Sequence, residues 1–134
     1  MNCVVIDIPI TVYEGGTFSQ SLIWKTGSPA APVDLTEYTG RMQIRAKLTD
    51  TAVILNVPNQ TAAWTEDSAT GIYINTNSPN TGEFRIYLKD EDTAGICALH
   101  KDIAGVYDLF LESPDGESVI KLYGVATLVA ASTR

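Results

Sequence analysis

Apolar and polar residues alternate along the chain in short runs, interrupted roughly every 8 to 15 residues by Gly, Pro, Asn or Asp. This is the pattern of an antiparallel sandwich or barrel, with helical periodicity almost absent. From Cys3 to Val12, Val4, Ile6, Ile8 and Ile10 share one face while Val5, Asp7, Pro9 and Thr11 share the other. Pro9 cannot donate to a ladder, which predicts that this first strand lies at a sheet edge or is broken there. After the turn residues Glu14-Gly15-Gly16, Phe18, Gln20, Leu22 and Trp24 fall on one parity, followed by a loop from Thr26 to Pro32. Between Tyr38 and Lys47, Met42, Ile44 and Ala46 alternate with Arg41, Gln43, Arg45 and Lys47, a half-buried strand with a cationic outer face.

The second half of the chain continues in the same way. Ala52 to Val57 reads as a strand ended by Pro58-Asn59, and Gln60 to Ala69, around Trp64, reads as a long loop or irregular crossing. Ile72 and Ile74 face one way with Tyr73 opposite, and Phe84, Ile86 and Leu88 alternate with Arg85, Tyr87 and Lys89. Asp90 to Gly95 is the one place for a short helical turn, because an acidic first turn suits a helix N-terminus and Gly suits its end. Val106 to Leu111 and Val119 to Thr127 form a hairpin across Ser113-Pro114-Asp115-Gly116-Glu117, where Pro presets φ and Gly accepts a positive one. The expectation is an all-β domain spanning residues 1–134, with about eight strands and at most one helical turn. Its core should hold Trp24, Met42, Ile44, Phe84, Ile86, Tyr107, Leu109 and Leu111, each on the apolar parity of its strand.

Composition changes this picture only by exclusion. With 134 residues, 45% of them hydrophobic and 19% charged, the chain has enough apolar side chain for a core and too little charge for a disordered tail. A net charge of −7 without a basic cluster argues against binding nucleic acid or anionic lipid. No apolar run is long enough to span a bilayer as a helix, and the start lacks a basic segment followed by an apolar one, so the expectation is a chain made in a cytoplasm without a signal peptide. Cys3 and Cys97, the only cysteines, permit one disulfide but supply neither a CxxC redox pair nor a four-ligand zinc site. Two buried thiols are the expectation, with a pairing between them left open.

Candidate chemistry is sparse. His100 is the only histidine, so any site that needs two is excluded, and an ordinary loop role is expected for it. Asp90, Glu91 and Asp92 are clustered and Gly95 stands at the sixth position of a hypothetical calcium loop. Ala94 and Lys101 occupy positions where such a loop needs ligands, which argues against one. Trp24, Trp64, Tyr73, Tyr87 and Tyr107 could form a sugar-stacking platform, although Trp24 and Tyr107 sit on core parities. Asn59-Gln60-Thr61 matches a glycosylation acceptor, relevant only in a secreted eukaryotic protein. No catalytic, cofactor-binding or metal-binding set is assigned, no cofactor is expected, and no partner-binding residues emerge from the pattern.

Three blocks carry a resemblance: VYEGGTFSQSLIWKTG at 12–27, PVDLTEYTGRMQIRAK at 32–47, and GVYDLFLESPDGESVIKLYGVATLVAASTR from 105 to 134. Together they resemble the small immunoglobulin-like β-sandwich proteins encoded among phage virion genes, similar to the N-terminal domains of upper-baseplate and other tail proteins. The resemblance covers most of the chain and is weakest over 50–80. It implies a non-enzymatic structural protein of a bacteriophage particle, a tail or baseplate component or a connector that attaches a fibre or spike. The partners implied are other virion proteins and symmetry-related copies of the chain, and the place is the virion. A capsid decoration protein is the neighbouring alternative, and a carbohydrate-binding module the alternative of another class. In that frame Phe18, Trp24, Met42 and Ile44 fill the core, Asp34 and Thr36 shape the turn before the third strand, and docking occurs through edge strands. The first strand, at Pro9, and the last, with its small-residue tail Ala130 to Thr133, are the edges expected to be unfinished.

Overall fold

A computed structural model of the chain describes residues 2–26, 29, 31–47, 52–61, 64–74, 82–97, 101–116 and 118–130, with the side chains of 2–6, 26 and 118 not described. His100, Ala131 to Thr133 and the turn residue Glu117 lie outside the described residues, as does the side chain of Cys3 and therefore any pairing with Cys97. Among the described residues the fold is all-β apart from one helical turn. The strands are β1 (Asn2–Asp7), β2 (Ile10–Tyr13), β3 (Phe18–Ile23), β4 (Lys25–Thr26), β5 (Ala31–Pro32), β6 (Thr39–Arg45), β7 (Leu55–Val57), β8 (Asn59–Gln60), β9 (Gly71–Ile74), β10 (Glu83–Leu88), β11 (Ile103–Glu112) and β12 (Ser118–Val129), with α1 (Asp90–Thr93) between β10 and β11.

Two sheets face each other across a shared core. The larger has the order β1-β12-β11-β6-β7, with β2 also on β12; the smaller has the order β3-β10-β9-β8; β4 and β5 form a separate ribbon. Inward residues of both sheets meet in one cluster that includes Val12, Met42, Ile44, Leu109, Leu122 and Leu128 from the larger sheet and Ile72, Phe84, Ile86 and Leu88 from the smaller. Seven of the eight expected core residues are buried, and Trp24 alone is half-buried, packed against the margin of the cluster. Alternation is clearest on β6, where Met42 and Ile44 are buried while Arg41 is exposed.

The expected strand count and pairing need correction. Twelve strand segments are present among the described residues instead of about eight, because Pro9 splits the first strand and two-residue bridges appear at β4, β5 and β8. Pairing is not wholly antiparallel: β1 and β2 run parallel to β12, and β8 parallel to β9. The Pro9 expectation holds on both counts. The first strand is a sheet edge, and its ladder is interrupted there while the register continues, with Asp7 opposite Tyr123 and Ile10 opposite Ala126. The last strand is not an edge. β12 is flanked by β1 and β2 on one side and β11 on the other, so its backbone groups are used inside the sheet.

Local signals explain the tight connections. Gly116 sits at φ 73° in the β11–β12 turn and donates its N–H to the Ser113 carbonyl at 3.0 Å. α1 begins on three acidic residues and is followed by Gly95 at φ 73°. Before β6, the Asp34 carboxylate accepts both the N–H of Thr36, at 3.0 Å, and its hydroxyl, and Glu37 then takes a left-handed φ of 65°. The Thr36 hydroxyl, then its N–H, holds the Asp34 carboxyl below its ordinary range, as expected for a charge whose hydrogen bonds favour the ionised form.

Candidate docking face

On the larger sheet, every second residue of β12 and its neighbours points away from the core. Tyr123 and Val125 of β12 are 40% and 49% exposed, and Tyr13 at the end of β2 is 63% exposed. Register places these in order: Tyr13 is opposite Val129, Val125 opposite Val106, and Tyr123 opposite Asp108. Phe110, opposite Lys121 and Arg41, closes the far end. The result is an exposed apolar patch at Tyr123 and Val125, bordered by Asp7 and Asp108 and separated by Thr11 and Thr127 from Tyr13 at the other end. Exposed apolar side chains grouped in this way, with a polar rim, are the surface property that marks an interaction site.

Charge frames one flank of the patch. Arg45 lies 3.7 Å from the Asp108 carboxylate, and Arg41 lies 3.7 Å from that of Glu112. Arg41 and Lys121 both stand over the Phe110 ring, at 4.9 and 5.4 Å from its centroid. A shallow groove of about 230 Å³ opens between these cations, lined by Arg41, Gln43, Arg45, Asp108 and Phe110 with Met42 beneath. Arg45 donates to the Gln43 side chain, yet its buried Nε has no hydrogen-bond partner among the described residues.

The opposite outer face is closed over at β9 and β10, while Ser19, Ser21 and Ile23 of β3 stay exposed on it. Tyr73 and Tyr87 point away from the core, as their parity requires, but are only 5% and 4% exposed because the segment from Trp64 to Thr70 lies across them. Trp64 packs edge-on against Tyr87, with ring centroids 5.5 Å apart, and Arg85 stacks 3.9 Å above the Trp64 ring. The Tyr73 hydroxyl donates to the Ala69 carbonyl and the Tyr87 hydroxyl to that of Glu66, at 2.9 Å. Of the five aromatics considered for sugar stacking, three therefore gather here, but two of their rings are sealed; Trp24 and Tyr107 lie with the core. No open ring platform results among them.

The other singled-out residues have structural partners. Thr70, buried on the same segment, donates to the Asp92 carboxylate and accepts the Lys89 N–H at 2.8 Å. Asp90 accepts the N–H of Glu91, so two of the three clustered acids are engaged locally. Asn59 accepts the N–H of Gly40 at 2.9 Å from within β8, so its side-chain carbonyl is committed to the fold. Cys97 is buried and its N–H donates to the Glu14 carboxylate at 2.9 Å.

Sequence reading missed the exposed patch because Tyr123, Val125 and Val129 read simply as members of a long apolar strand; that Tyr123 and Val125 share the parity opposite to Leu122 and Leu128 was the available signal. No protein-family model matches the chain, and no curated protein matches it.

Proposed function

We propose that the chain is a non-enzymatic structural protein of a bacteriophage particle, a tail or baseplate component or a fibre or spike connector, that docks onto a neighbouring virion protein through the outer face of its larger sheet. The observation that carries this reading is the exposed pair Tyr123 and Val125 beside the Arg41–Phe110–Lys121 stack. Its support in sequence is the three-block resemblance, whose blocks fall on the β2–β3 turn, the Asp34 turn with β6, and the β11–β12 hairpin. An immunoglobulin-like arrangement is supported by the first strand lying parallel beside β12 and by the order β12-β11-β6-β7 facing β3-β10-β9.

The test is incorporation. Tyr123→Lys with Val125→Glu should leave the isolated fold intact, since both side chains point to solvent, and should abolish recovery of the protein with purified particles. Normal incorporation of the double variant contradicts docking through this face. Recovery on capsids without tails would move the assignment to a decoration protein, and glycan binding by a chain absent from particles would favour the carbohydrate-binding module.

A further inference from the structure

We propose that β3 is a self-pairing edge, through which two copies of the chain join their smaller sheets about a two-fold axis at Ser21. This goes beyond the virion reading and rests on β3 alone. Among the described residues β3 is the end strand of its sheet and pairs only with β10. The other sheet edges are blunted: the first strand by Pro9, β7 by its three residues, β8 by its two. β3 runs for six residues, Phe-Ser-Gln-Ser-Leu-Ile, without a charge, a proline or a bulge. The strand itself is therefore neutral in a chain of net charge −7, and the charge that reaches it is the Arg85 guanidinium, which donates to the Ser19 hydroxyl at 2.6 Å on the outer face.

Hydrogen bonding fixes which groups are on offer. The N–H of Trp24 donates to the Gly82 carbonyl at 2.8 Å, and the register pairs Leu22 with Phe84 and Gln20 with Ile86. In an antiparallel pair the bonded residues alternate, so Phe18, Gln20, Leu22 and Trp24 turn their backbone groups toward β10. Ser19, Ser21 and Ile23 consequently turn theirs to the open edge. The core is also incomplete here, since Phe18, Leu22 and Trp24 are only partly buried while the inward residues of β10 are fully so.

Parity selects the register. Residues directly opposite must point to the same face, which requires an axis through a residue. An axis at Ser21 sets Ser19 opposite Ile23 and Ser21 opposite itself, so every outward N–H and C=O of the strand finds a partner in the other copy. The same register sets Gln20 opposite Leu22 and brings Phe18 opposite Trp24 on the inner face, covering the side chains that the isolated chain leaves half-exposed. The contact is smaller than a standard protein interface, so association is weak in dilute solution and strengthens where copies are held on a common assembly.

The experiment is sedimentation equilibrium of the full chain up to about millimolar concentration, with amide exchange measured across the same range. Wild type should dimerise, and the Ser19, Ser21 and Ile23 amides should gain protection as dimer forms. Ser21→Pro removes an N–H that has no partner among the described residues and leaves the strand an acceptable edge for proline, so it should fold and weaken dimerisation about tenfold or more. Should that variant fail to fold, Ser21→Lys sets two cations across the axis and should weaken dimerisation in the same direction. A monomer at all concentrations, a dimer in which those three amides stay unprotected, or a folded variant that dimerises like wild type overturns the proposal.

Discussion

Tyr107 joins the two strands that flank β12 without being hydrogen-bonded in either ladder through its side chain. Its ring lies on the inner face opposite Gly124, and its hydroxyl donates to the carbonyl of Ile8, beside the proline break in the edge strand. Gly124, at φ 157°, has no side chain to obstruct this; a Cβ there would lie 2.5 Å from that same carbonyl oxygen. Gly124→Ala should therefore destabilise the fold by roughly 2 kcal/mol or more, combining backbone strain with a contact that must shift, measured by chemical unfolding. Tyr107→Phe should cost about 1–2 kcal/mol through the unpaired Ile8 carbonyl. Burial, with a smaller contribution from the Asp7 charge, pushes the Tyr107 hydroxyl up to about 12 from an ordinary 10.0. The unfolded chain thus releases this proton first, and the stability tied to the neutral hydroxyl is complete below pH 10 and falls as the pH rises toward 12. Unfolding measured across that window should show the decline in wild type and a shallower one in Tyr107→Phe.

Among the elements, the β11–β12 hairpin and β6 were legible because their signals are local. Pro114, Asp115 and Gly116 specify the turn, and strict alternation from Arg41 to Arg45 specifies which face is buried. Asp90 to Gly95 was legible for the same reason. The position of β12 inside the sheet was not, since it depends on parallel pairing with residues at the other end of the chain, for which periodicity carries no signal. The cover over Tyr73 and Tyr87 was also hidden. The segment 64–70 has no periodicity, and it is fixed across the sheet by long-range contacts: those of Thr70 with Lys89 and Asp92, and those of its carbonyls with the Tyr73 and Tyr87 hydroxyls. Thr70→Val should release that cover: it deletes both contacts of a buried hydroxyl and leaves the Lys89 N–H unpaired, a cost of about 1–3 kcal/mol. The matching signature is faster amide exchange around Trp64 and a shift in Trp fluorescence, with Thr70→Ser restoring both. Wild-type exchange in Thr70→Val would show that the aromatic packing alone holds the segment.

At the scale of the whole molecule, the two outer faces differ in kind. One is covered by its own chain over Tyr73 and Tyr87 and open only along β3, whereas the other leaves Tyr123 and Val125 in solvent near Arg41, Arg45 and Lys121, with Tyr13 exposed at its other end. An exposed Tyr123 and Val125 next to a cation-framed groove suit a part that is completed by a neighbour. The candidate site was the least legible feature, because exposure of an apolar residue on a buried strand depends on what packs above it and not on the strand's own sequence. A docked face should bury at least ~1,000 Å² in total, including the cation-framed groove. Cryo-electron microscopy of the purified phage particle tests this most directly. The account predicts symmetric copies of the chain, with Tyr123 and Val125 against a neighbouring virion protein. Particles that lack the chain, or that carry it with this face in solvent, would contradict it.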